Sequence, residues 1–242
     1  MSIADASKFD AVIGRIGVRL SYPRKAMIYC ESDPAERVYK VLSGSVFTCK
    51  NLSDGRRQIV GLYLPGDFFG LGPSDDYSLS AEVVSNAEVL VLKKKALAEL
   101  ANGDAAIQSK VSLLLAREVE RMQDRVLLLC KNAQERVVEF LLHMQKRTPA
   151  TNLIELPLLR QDIADYLGLT IETVSRIITS LESRAAIGRA TRRGILLHSR
   201  SLLRNPWPEG RPQPTRSHRQ SGSRRQHSRT ARRILQLSAT QA

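Results

Sequence analysis

Short apolar runs alternate with turn residues between Ser21 and Leu92. The runs are Arg37 to Leu42, Val46 to Cys49, Gln58 to Leu64 and Val89 to Leu92, and the turns are Ser43-Gly44, Asp54-Gly55 and Pro65-Gly66-Asp67. An Asp-Gly pair between two strands is typical of a hairpin, because glycine adopts a positive φ without steric cost. Many short strands at this spacing predict an antiparallel barrel or roll.

The pattern becomes helical after Gly103-Asp104 and stays so to about Asn132. Apolar residues recur there at alternating spacings of four and three, at Leu115, Val119, Met122, Val126, Leu129 and Ala133. Such a heptad seam favours pairing with a second helix, although an apolar stripe more often packs on its own domain. A second apolar flank consists of Leu113, Leu114, Leu127 and Leu128. We expect the flank to pack on the roll and the seam to form a dimer interface.

A second helix is predicted from Gln134 to Lys146, and a short strand from Ile154 to Leu158. The next stretch, Arg160 to Ser183, predicts two short helices. Gly168 suits the C-terminus of the first helix, where the chain needs positive φ, and Thr170 suits the N-cap of the second. Two short helices joined by a glycine-containing turn indicate a helix-turn-helix.

The second of these helices has two faces. The apolar face comprises Val174, Ile177, Ile178 and Leu181, and the polar face comprises Glu172, Ser175, Arg176 and Thr179. Arginine suits the N7 and O6 acceptors of guanine, glutamate accepts from the cytosine amino group, and serine serves several bases. We therefore expect Glu172, Ser175 and Arg176 to read base edges in the major groove. A merely solvated polar face is the alternative.

Two β-like pieces between Ile187 and His198 flank Thr191-Arg192-Arg193-Gly194 and predict a basic hairpin, or wing. We expect Arg189, Arg192 and Arg193 to contact phosphates, which adds affinity but little sequence information. Ordinary exposed arginines are the alternative. The side chains expected at the DNA backbone or on the wing are Arg160, Thr170, Thr173, Thr179, Arg192 and Arg193.

The charge of the chain also points to a polyanionic partner. Its 242 residues include 37 Lys and Arg against 24 Asp and Glu, a formal net charge of +13. Such a surplus most often indicates nucleic acid. Nine arginines and one acid give residues 204–242 a charge of +8, which leaves +5 for residues 1–203. Because this tail has only one short apolar cluster, we expect it to be disordered.

Several classes of protein are excluded. No run of 18 apolar residues occurs, so we expect no transmembrane helix, and the polar segment Met1 to Gly14 is unlike a signal peptide. Three cysteines, Cys30, Cys49 and Cys130, suit a reducing cytoplasm. The sequence has no glycine-rich phosphate loop, no Ser/His/Asp arrangement and no metal-ligand cluster, so we expect no enzyme.

Cys130 adjoins Lys131 and is a candidate redox residue, although a structural cysteine is commoner.

Four runs together resemble a known family. Three lie in the predicted roll: Val38-Tyr39-Lys40-Val41-Leu42-Ser43-Gly44, Asp54-Gly55-Arg56-Arg57-Gln58-Ile59 and Leu64-Pro65-Gly66-Asp67-Phe68-Phe69-Gly70-Leu71. The fourth, Arg160 to Arg176, is similar to the family's DNA-reading motif almost throughout. From about Pro23 to Leu203 the chain resembles the CRP/FNR superfamily of bacterial transcription regulators, and within it the FixK-like branch. The resemblance implies an α+β fold: an antiparallel β-roll like that of cyclic-nucleotide-binding domains, a long dimerisation helix and a C-terminal winged helix-turn-helix.

The residues of the reading helix separate the branches of this family. Glu172-Thr173-Val174-Ser175-Arg176 matches the FNR/FixK pattern, whereas CRP-like proteins have glycine at Ser175 and arginine at Ile171. The resemblance therefore implies a dimeric activator that reads a TTGAT-N4-ATCAA palindrome and contacts RNA polymerase. It also implies control of genes for low-oxygen respiration or nitrogen fixation. A two-fold dimer requires half-sites about one helical turn apart.

The chain departs from the family's cofactor-binding members. Members that bind cAMP carry Gly-Glu after the phenylalanine and an Arg-Ser pair further on, but this chain has Gly70-Leu71 and Tyr77-Ser78. A cyclic phosphate would therefore meet no guanidinium, its usual bidentate partner. Members with an iron–sulfur cluster carry N-terminal cysteines, and none of residues 1–29 is Cys. Haem would have to use Cys130 or a histidine such as His143, and no histidine lies in the roll. We expect no cofactor and no metal.

The predicted domains are the roll at residues 1–103, the dimerisation helix at 104–133, the winged helix-turn-helix at 134–203 and the basic tail at 204–242. Two other functions remain open at this point. One is a ligand-gated regulator that binds an unidentified small effector inside the apolar roll. The other is a nonspecific nucleic-acid packer that uses the arginine tail.

Overall fold

The computed structural model describes residues 3–147, 153–189 and 194–198. In these ranges, helices precede, follow and cover two antiparallel sheets, which confirms the predicted α+β class. The N-terminal elements are α1 (Ile3–Ile16), β1 (Val18–Tyr22), β2 (Met27–Tyr29), β3 (Arg37–Asn51), β4 (Arg57–Tyr63), β5 (Phe68–Phe69), β6 (Ser80–Lys93) and α2 (Lys94–Gly103). The C-terminal elements are α3 (Ala105–Cys130), α4 (Ala133–Arg147), β7 (Leu153–Glu155), α5 (Arg160–Leu167), α6 (Ile171–Ser183), β8 (Ile187–Arg189) and β9 (Gly194–Leu197).

The predicted roll is a six-stranded antiparallel sheet in the order β1-β6-β3-β4, with β2 paired to β6 and β5 paired to β3. The long strands β3 and β6 pair from Arg37 with Lys93 to Cys49 with Ser80. The valine side chains of both strands are buried in the roll, as β-branched residues of a half-buried sheet are expected to be.

The Ser43-Gly44 pair is not a turn, and this prediction was wrong. The two residues lie inside β3, which continues from Arg37 to Asn51 with shifts of register on both sides of Ser43. Gly44 has a φ of +76°, and a Cβ there would lie 2.2 Å from the backbone oxygen of Asn86. A glycine with positive φ is found in β-bulges as well as in turns. Here it lies at the register shifts of β3 and packs closely against β6.

Helices α1 and α2 are not among the predicted elements. Phe9 and Ile13 of α1 are buried, and the Phe9 ring lies 6.1 Å from that of Phe68. Leu97 of α2 and Leu114 of α3 belong to the same apolar cluster. The cluster joins three helices to the outside of the roll.

Helix α3 begins and ends close to the predicted bounds. Asp104 is its N-cap and accepts hydrogen bonds from the backbone N–H groups of Ala106 at 2.8 Å and Ile107 at 3.4 Å. Leu114 of the predicted flank is buried, as expected. Leu127 is 63% exposed, so its assignment to the flank was wrong: it lies on the open side of the helix.

In the described residues after α3, the C-terminal part has its own three-stranded sheet, β7-β9-β8, and three helices. The predicted strand from Ile154 to Leu158 is shorter and lies at β7. One apolar cluster includes Phe47 and Ile59 of the roll together with Leu167 and Ile178 of the C-terminal helices. The roll and the helix-turn-helix therefore share a continuous core. Among the residues described, no helix combines the length and the apolar character that crossing a bilayer requires.

Candidate nucleic-acid interface

The turn between α5 and α6 has the geometry of a helix-turn-helix. Gly168 ends α5 in the left-handed region, with φ 62° and ψ 42°, and its N–H donates to the Ala164 carbonyl. Leu169 N also donates to the Ala164 oxygen, at 3.0 Å. A left-handed residue at this position satisfies carbonyls that the helix end leaves unpaired. The predicted helix end at Gly168 is confirmed.

Thr170 caps the second helix, as predicted. Its Oγ1 accepts a hydrogen bond from the Thr173 backbone N–H at 3.2 Å, and the two threonine hydroxyls lie 3.1 Å apart. A side-chain oxygen at the N-cap satisfies one of the free N–H groups in the first turn. The two threonines therefore fix the first turn of α6, where the expected base-reading side chains begin.

Helix α6 has one buried face and one open face. Val174, Ile178 and Leu181 are buried, and Ile177 is half-buried. The exposed residues include the expected base readers Glu172, Ser175 and Arg176, followed by Thr179. The apolar face anchors the helix in the shared core, and the structure places the four polar residues together on its outer side.

The carboxylate of Glu172 is held in its ionised form. A hydrogen bond from its own backbone N–H lowers its pKa, and the Thr170 hydroxyl and the Arg176 guanidinium act in the same direction. An ionised carboxylate only accepts hydrogen bonds, so it can pair with an amino group such as cytosine N4. Arg176, one helical turn later, supplies the complementary donors.

The residues expected at the DNA backbone lie in different surroundings. Arg160 is half-buried in the first turn of α5, where burial lowers its pKa while Glu182 opposes this effect. Its Nη1 is buried without a hydrogen-bond partner among the described residues. Arg189 ends β8 and lies 3.6 Å from Glu182. The tip of the predicted wing, with Arg192 and Arg193, falls outside the described residues.

The predicted seam of α3 is largely exposed. Leu115 is 45% exposed, Val119 58% and Val126 62%. Leu129 is also exposed, and Met122 is partly buried. Exposed apolar residues in such a contiguous row are typical of an association surface. Cys130 is exposed at the end of the same helix, and Lys131 beside it is ion-paired with Glu139 at 2.9 Å.

Aromatic side chains fill the interior of the roll. The rings of Tyr29 and Tyr77 stack at 3.7 Å, those of Tyr39 and Phe69 at 5.0 Å, and Tyr63 lies 5.2 Å from Phe69. Beside this aromatic cluster, a cavity of about 840 Å³ opens towards α3. Sequence reasoning predicted an apolar interior but not this stacking, because the five residues come from five separate segments.

The charged groups of the cavity do not fit a cyclic phosphate. The lining contains the carboxylates of Asp76 and Glu118 and the single ammonium of Lys94. Lys94 Nζ donates to the backbone oxygen of Gly72 at 2.8 Å, and Glu118 accepts from Tyr63 at 3.0 Å. A phosphate anion would face two carboxylates and one ammonium that is already hydrogen-bonded. Within the described residues, no group of three His, Cys, Asp or Glu side chains could hold a metal ion.

Comparisons with known proteins agree with this geometry. Residues 19–104 match the family model of the cyclic nucleotide-binding domain, and residues 135–205 match that of the Crp-like helix-turn-helix domain. The nitrogen fixation regulation protein FixK of Azorhizobium caulinodans is 42% identical over 83% of this chain and 84% of that protein. The transcriptional activatory protein AadR of Rhodopseudomonas palustris is 36% identical over 76% of this chain and 77% of that protein.

A solved structure shows the same architecture. The structure of FixK2 from Bradyrhizobium japonicum has a TM-score of 0.75 and 40% sequence identity, and the match covers 78% of this chain and 96% of that one. These relatives are transcription regulators and not enzymes, so the family resemblance and the expectation of a non-enzymatic regulator are confirmed. The chain is a DNA-binding transcription regulator that belongs to the CRP/FNR superfamily, in its FixK-like branch.

Proposed function

We propose that the protein is a homodimeric, cytoplasmic transcription activator that reads a TTGAT-N4-ATCAA palindrome. The observation that carries this proposal is the open face of α6, where Glu172, Ser175 and Arg176 are exposed next to one another. Arginine pairs with guanine and glutamate with cytosine, so the face matches the G·C pair within TTGAT. As in the nitrogen fixation regulators that the chain resembles, we propose genes of nitrogen fixation or low-oxygen respiration as targets.

The dimer is proposed on the seam of α3. Leu115, Val119, Met122, Val126 and Leu129 follow a heptad spacing, and most of them are exposed in the single chain. Pairing of two such seams would bury this apolar surface and place two α6 helices about a two-fold axis. One palindrome then matches one dimer, and the remaining surface of the roll is free to contact RNA polymerase.

Phosphate contacts supply the second part of the affinity. We assign this role to Arg160, Thr170, Thr173, Thr179, Arg192 and Arg193, because they flank the reading face in the fold or in the sequence. Phosphate contacts orient the protein and make binding salt-dependent, while base contacts select the site.

The activity of this dimer is proposed to require neither cAMP nor an iron–sulfur cluster. The charges of the cavity do not fit a cyclic phosphate, and none of residues 1–29 is Cys. The thiol of Cys130 is exposed, which supports its assignment as the candidate redox residue.

Competition binding with two arginine variants tests the DNA-reading proposal. Arg176→Ala should reduce the free energy of binding to the palindrome by about 1–3 kcal/mol. It should also relax the choice of base at one position in each half-site. Arg189→Ala removes the same charge from the base of the wing. It should weaken binding to palindromic DNA and binding to scrambled DNA equally. Equal discrimination by Arg176→Ala and the unchanged protein would refute the reading role.

The cavity supports a second candidate function, a regulator gated by a small effector inside the roll. Its volume of about 840 Å³ would accommodate a drug-sized apolar molecule. The seam residues Leu115, Val119, Met122 and Val126 also line it, so an occupant would contact the proposed dimer interface. A ligand that binds only the folded protein raises its melting temperature. A thermal-shift screen with cyclic nucleotides, haem and small aromatic acids tests this function, and a shift together with tighter DNA binding would favour it.

A further inference from the structure

Helix α5 contributes none of the side chains assigned to base reading, yet arginines from three other elements contact it. We propose that Arg57 of β4, Arg125 of α3 and Arg136 of α4 form a grip that fixes the orientation of the helix-turn-helix. These would be positioning residues, because they act on DNA only through α5. The proposal rests on the proposed function, since the orientation matters for spanning two half-sites.

Arg57 binds the N-terminal half of α5 from the roll. Its Nη2 lies 2.5 Å from Asp162 Oδ1 and 2.8 Å from Asp165 Oδ2, and its Nε donates to the latter oxygen at 2.9 Å. The Arg57 side chain is 27% exposed and the two carboxylates 12% and 13%, so these ion pairs are poorly screened by solvent. The guanidinium also lies 4.9 Å from the ring of Phe47, which holds it in place.

The contact with Asp162 reaches the backbone of α5. The second oxygen of this carboxylate, Oδ2, accepts the backbone N–H of Leu159 at 3.0 Å and so caps the start of the helix. The next residue of the roll, Gln58, donates from Nε2 to the backbone oxygen of Asp165 at 2.6 Å. The roll therefore binds both side chains and main chain of α5.

Arg125 joins α3 and the roll to the same helix. Its guanidinium lies over the ring of Tyr166 on α5, 4.1 Å from the centroid, and Nη2 donates to the Ile59 oxygen of β4 at 3.1 Å. Arg125 is only 7% exposed. A buried cation held by a ring and a carbonyl leaves little freedom for the surfaces it connects.

Arg136 binds the C-terminal end of α5. It donates from Nη1 to the Leu167 oxygen at 3.0 Å, from Nη2 to the Leu129 oxygen at 2.6 Å and from Nε to the Lys131 oxygen at 2.9 Å. Helix C-termini carry partial negative charge, so one guanidinium joins the end of α3 to the end of α5. This contact directly precedes Gly168 and the start of the reading helix.

The consequence for DNA binding follows from geometry. The seam of α3 would lie at the two-fold axis, and the grip ties α5 to α3 and to the roll. Loosening it would let each α6 sample several orientations, only some of which fit two half-sites at a fixed separation. The apparent affinity then falls by the fraction of molecules in the binding-competent orientation.

The neighbouring arginines Arg57 and Arg56 provide a matched test. Arg56 has the same charge but pairs with Asp54 two residues away, and its side chain is 77% exposed. Arg57→Met and Arg56→Met should be compared in the full chain by binding to palindromes with spacers of different length. Amide hydrogen exchange of residues 160–167 in the absence of DNA measures how firmly these contacts stabilise α5.

We expect Arg57→Met to weaken binding to the N4 palindrome about tenfold and to lose most of the preference for that spacer, whereas Arg56→Met keeps both. Exchange in α5 should accelerate in Arg57→Met alone. Asp165→Asn, which keeps the helix and Asp162, should shift both readouts in the same direction by less, and it serves if Arg57→Met does not fold.

Unchanged spacer preference with unchanged α5 exchange in Arg57→Met would overturn the grip. A separate outcome concerns the proposed function: if the unchanged protein shows no preference for the palindrome over scrambled DNA, the DNA site is wrong. In that case amide hydrogen exchange of α5 is the only test of the grip, and equal exchange rates in Arg57→Met and Arg56→Met would refute it.

Discussion

The hydroxyl of Tyr63, buried in the roll, donates a hydrogen bond to the carboxylate of Glu118 on α3, with 3.0 Å between the oxygens. Burial raises the pKa of Tyr63 and Glu118 raises it further, so the phenol keeps its proton and remains a donor. This contact ties the aromatic cluster to the helix that carries the proposed dimer seam.

Removing that hydroxyl should therefore loosen the roll from α3. Tyr63→Phe keeps the ring but leaves the buried side of Glu118 without its donor, at an expected cost of about 1–2 kcal/mol in the free energy of unfolding. Urea unfolding followed by circular dichroism measures this. An unchanged free energy of unfolding would show that water replaces the hydroxyl at no cost.

The dimer seam can be tested with two valines of nearly equal exposure. Val119 of α3 is 58% exposed and Val18 of β1 is 60% exposed. Because neither is buried in the single chain, Val119→Asp and Val18→Asp should both fold. Only Val119→Asp should yield monomers in sedimentation velocity, since a carboxylate buried in an apolar seam is strongly unfavourable. Dimers of Val119→Asp at micromolar concentration would place the interface elsewhere.

Two glycines separate backbone strain from steric overlap. Gly44 and Gly55 have similar positive φ values of +76° and +82°. A Cβ at Gly55 would meet open space, whereas one at Gly44 would lie 2.2 Å from the Asn86 oxygen. We expect Gly55→Ala to cost about 1 kcal/mol from strain alone and Gly44→Ala at least about 3 kcal/mol, because the strand must move. Similar thermal unfolding of the two variants would contradict this account of the bulge.

The three cysteines should differ in reactivity. Burial raises the pKa of Cys49 to about 11, outweighing the opposite effect of Arg57. Since a thiolate is the reactive species, Cys49 remains an unreactive thiol at mildly alkaline pH. The exposed thiols of Cys30 and Cys130 should react with iodoacetamide in the folded protein, as measured by mass spectrometry. Labelling of Cys49 at the same rate would indicate that this face of the roll opens.

A Cys130→Ser variant addresses the redox proposal separately. If the thiol controls activity, peroxide should reduce DNA binding of the unchanged protein and spare the variant. Equal peroxide sensitivity of both proteins would assign the effect to another residue.

Local signals in the sequence predicted the helix-turn-helix well. Gly168 and Thr170 act within a few residues of themselves, through positive φ and an N-cap hydrogen bond, so their roles are visible in the chain. The Ser43-Gly44 pair carries the same kind of signal, but turn and bulge are distinguished only by the partner strand. That partner lies about forty residues away at Ala87. The periodicity of the sequence does not predict which residues of two distant strands pair.

The contacts of α5 could not be predicted at all from sequence pattern. Arg57 and Asp162 are separated by 105 positions, and each lies in a segment whose own pattern is explained by a strand or a helix. Their meeting depends on how the shared apolar core places the roll against the C-terminal helices. For the same reason, the sequence pattern does not predict which side of α3 Leu127 faces. Its neighbours in sequence are apolar, but the tertiary fold determines which of these side chains are buried.

The aromatic cluster of the roll gives the protein a natural optical probe. Four of its six tyrosines, Tyr29, Tyr39, Tyr63 and Tyr77, belong to one buried cluster, and three of them line the cavity. Rings held this close in a fixed asymmetric arrangement give strong near-ultraviolet circular dichroism. An effector entering the cavity would change that signal, and the titration is done without DNA because DNA bases give near-ultraviolet circular dichroism of their own. The unmodified protein can thus report whether the cavity takes up an effector, without a label.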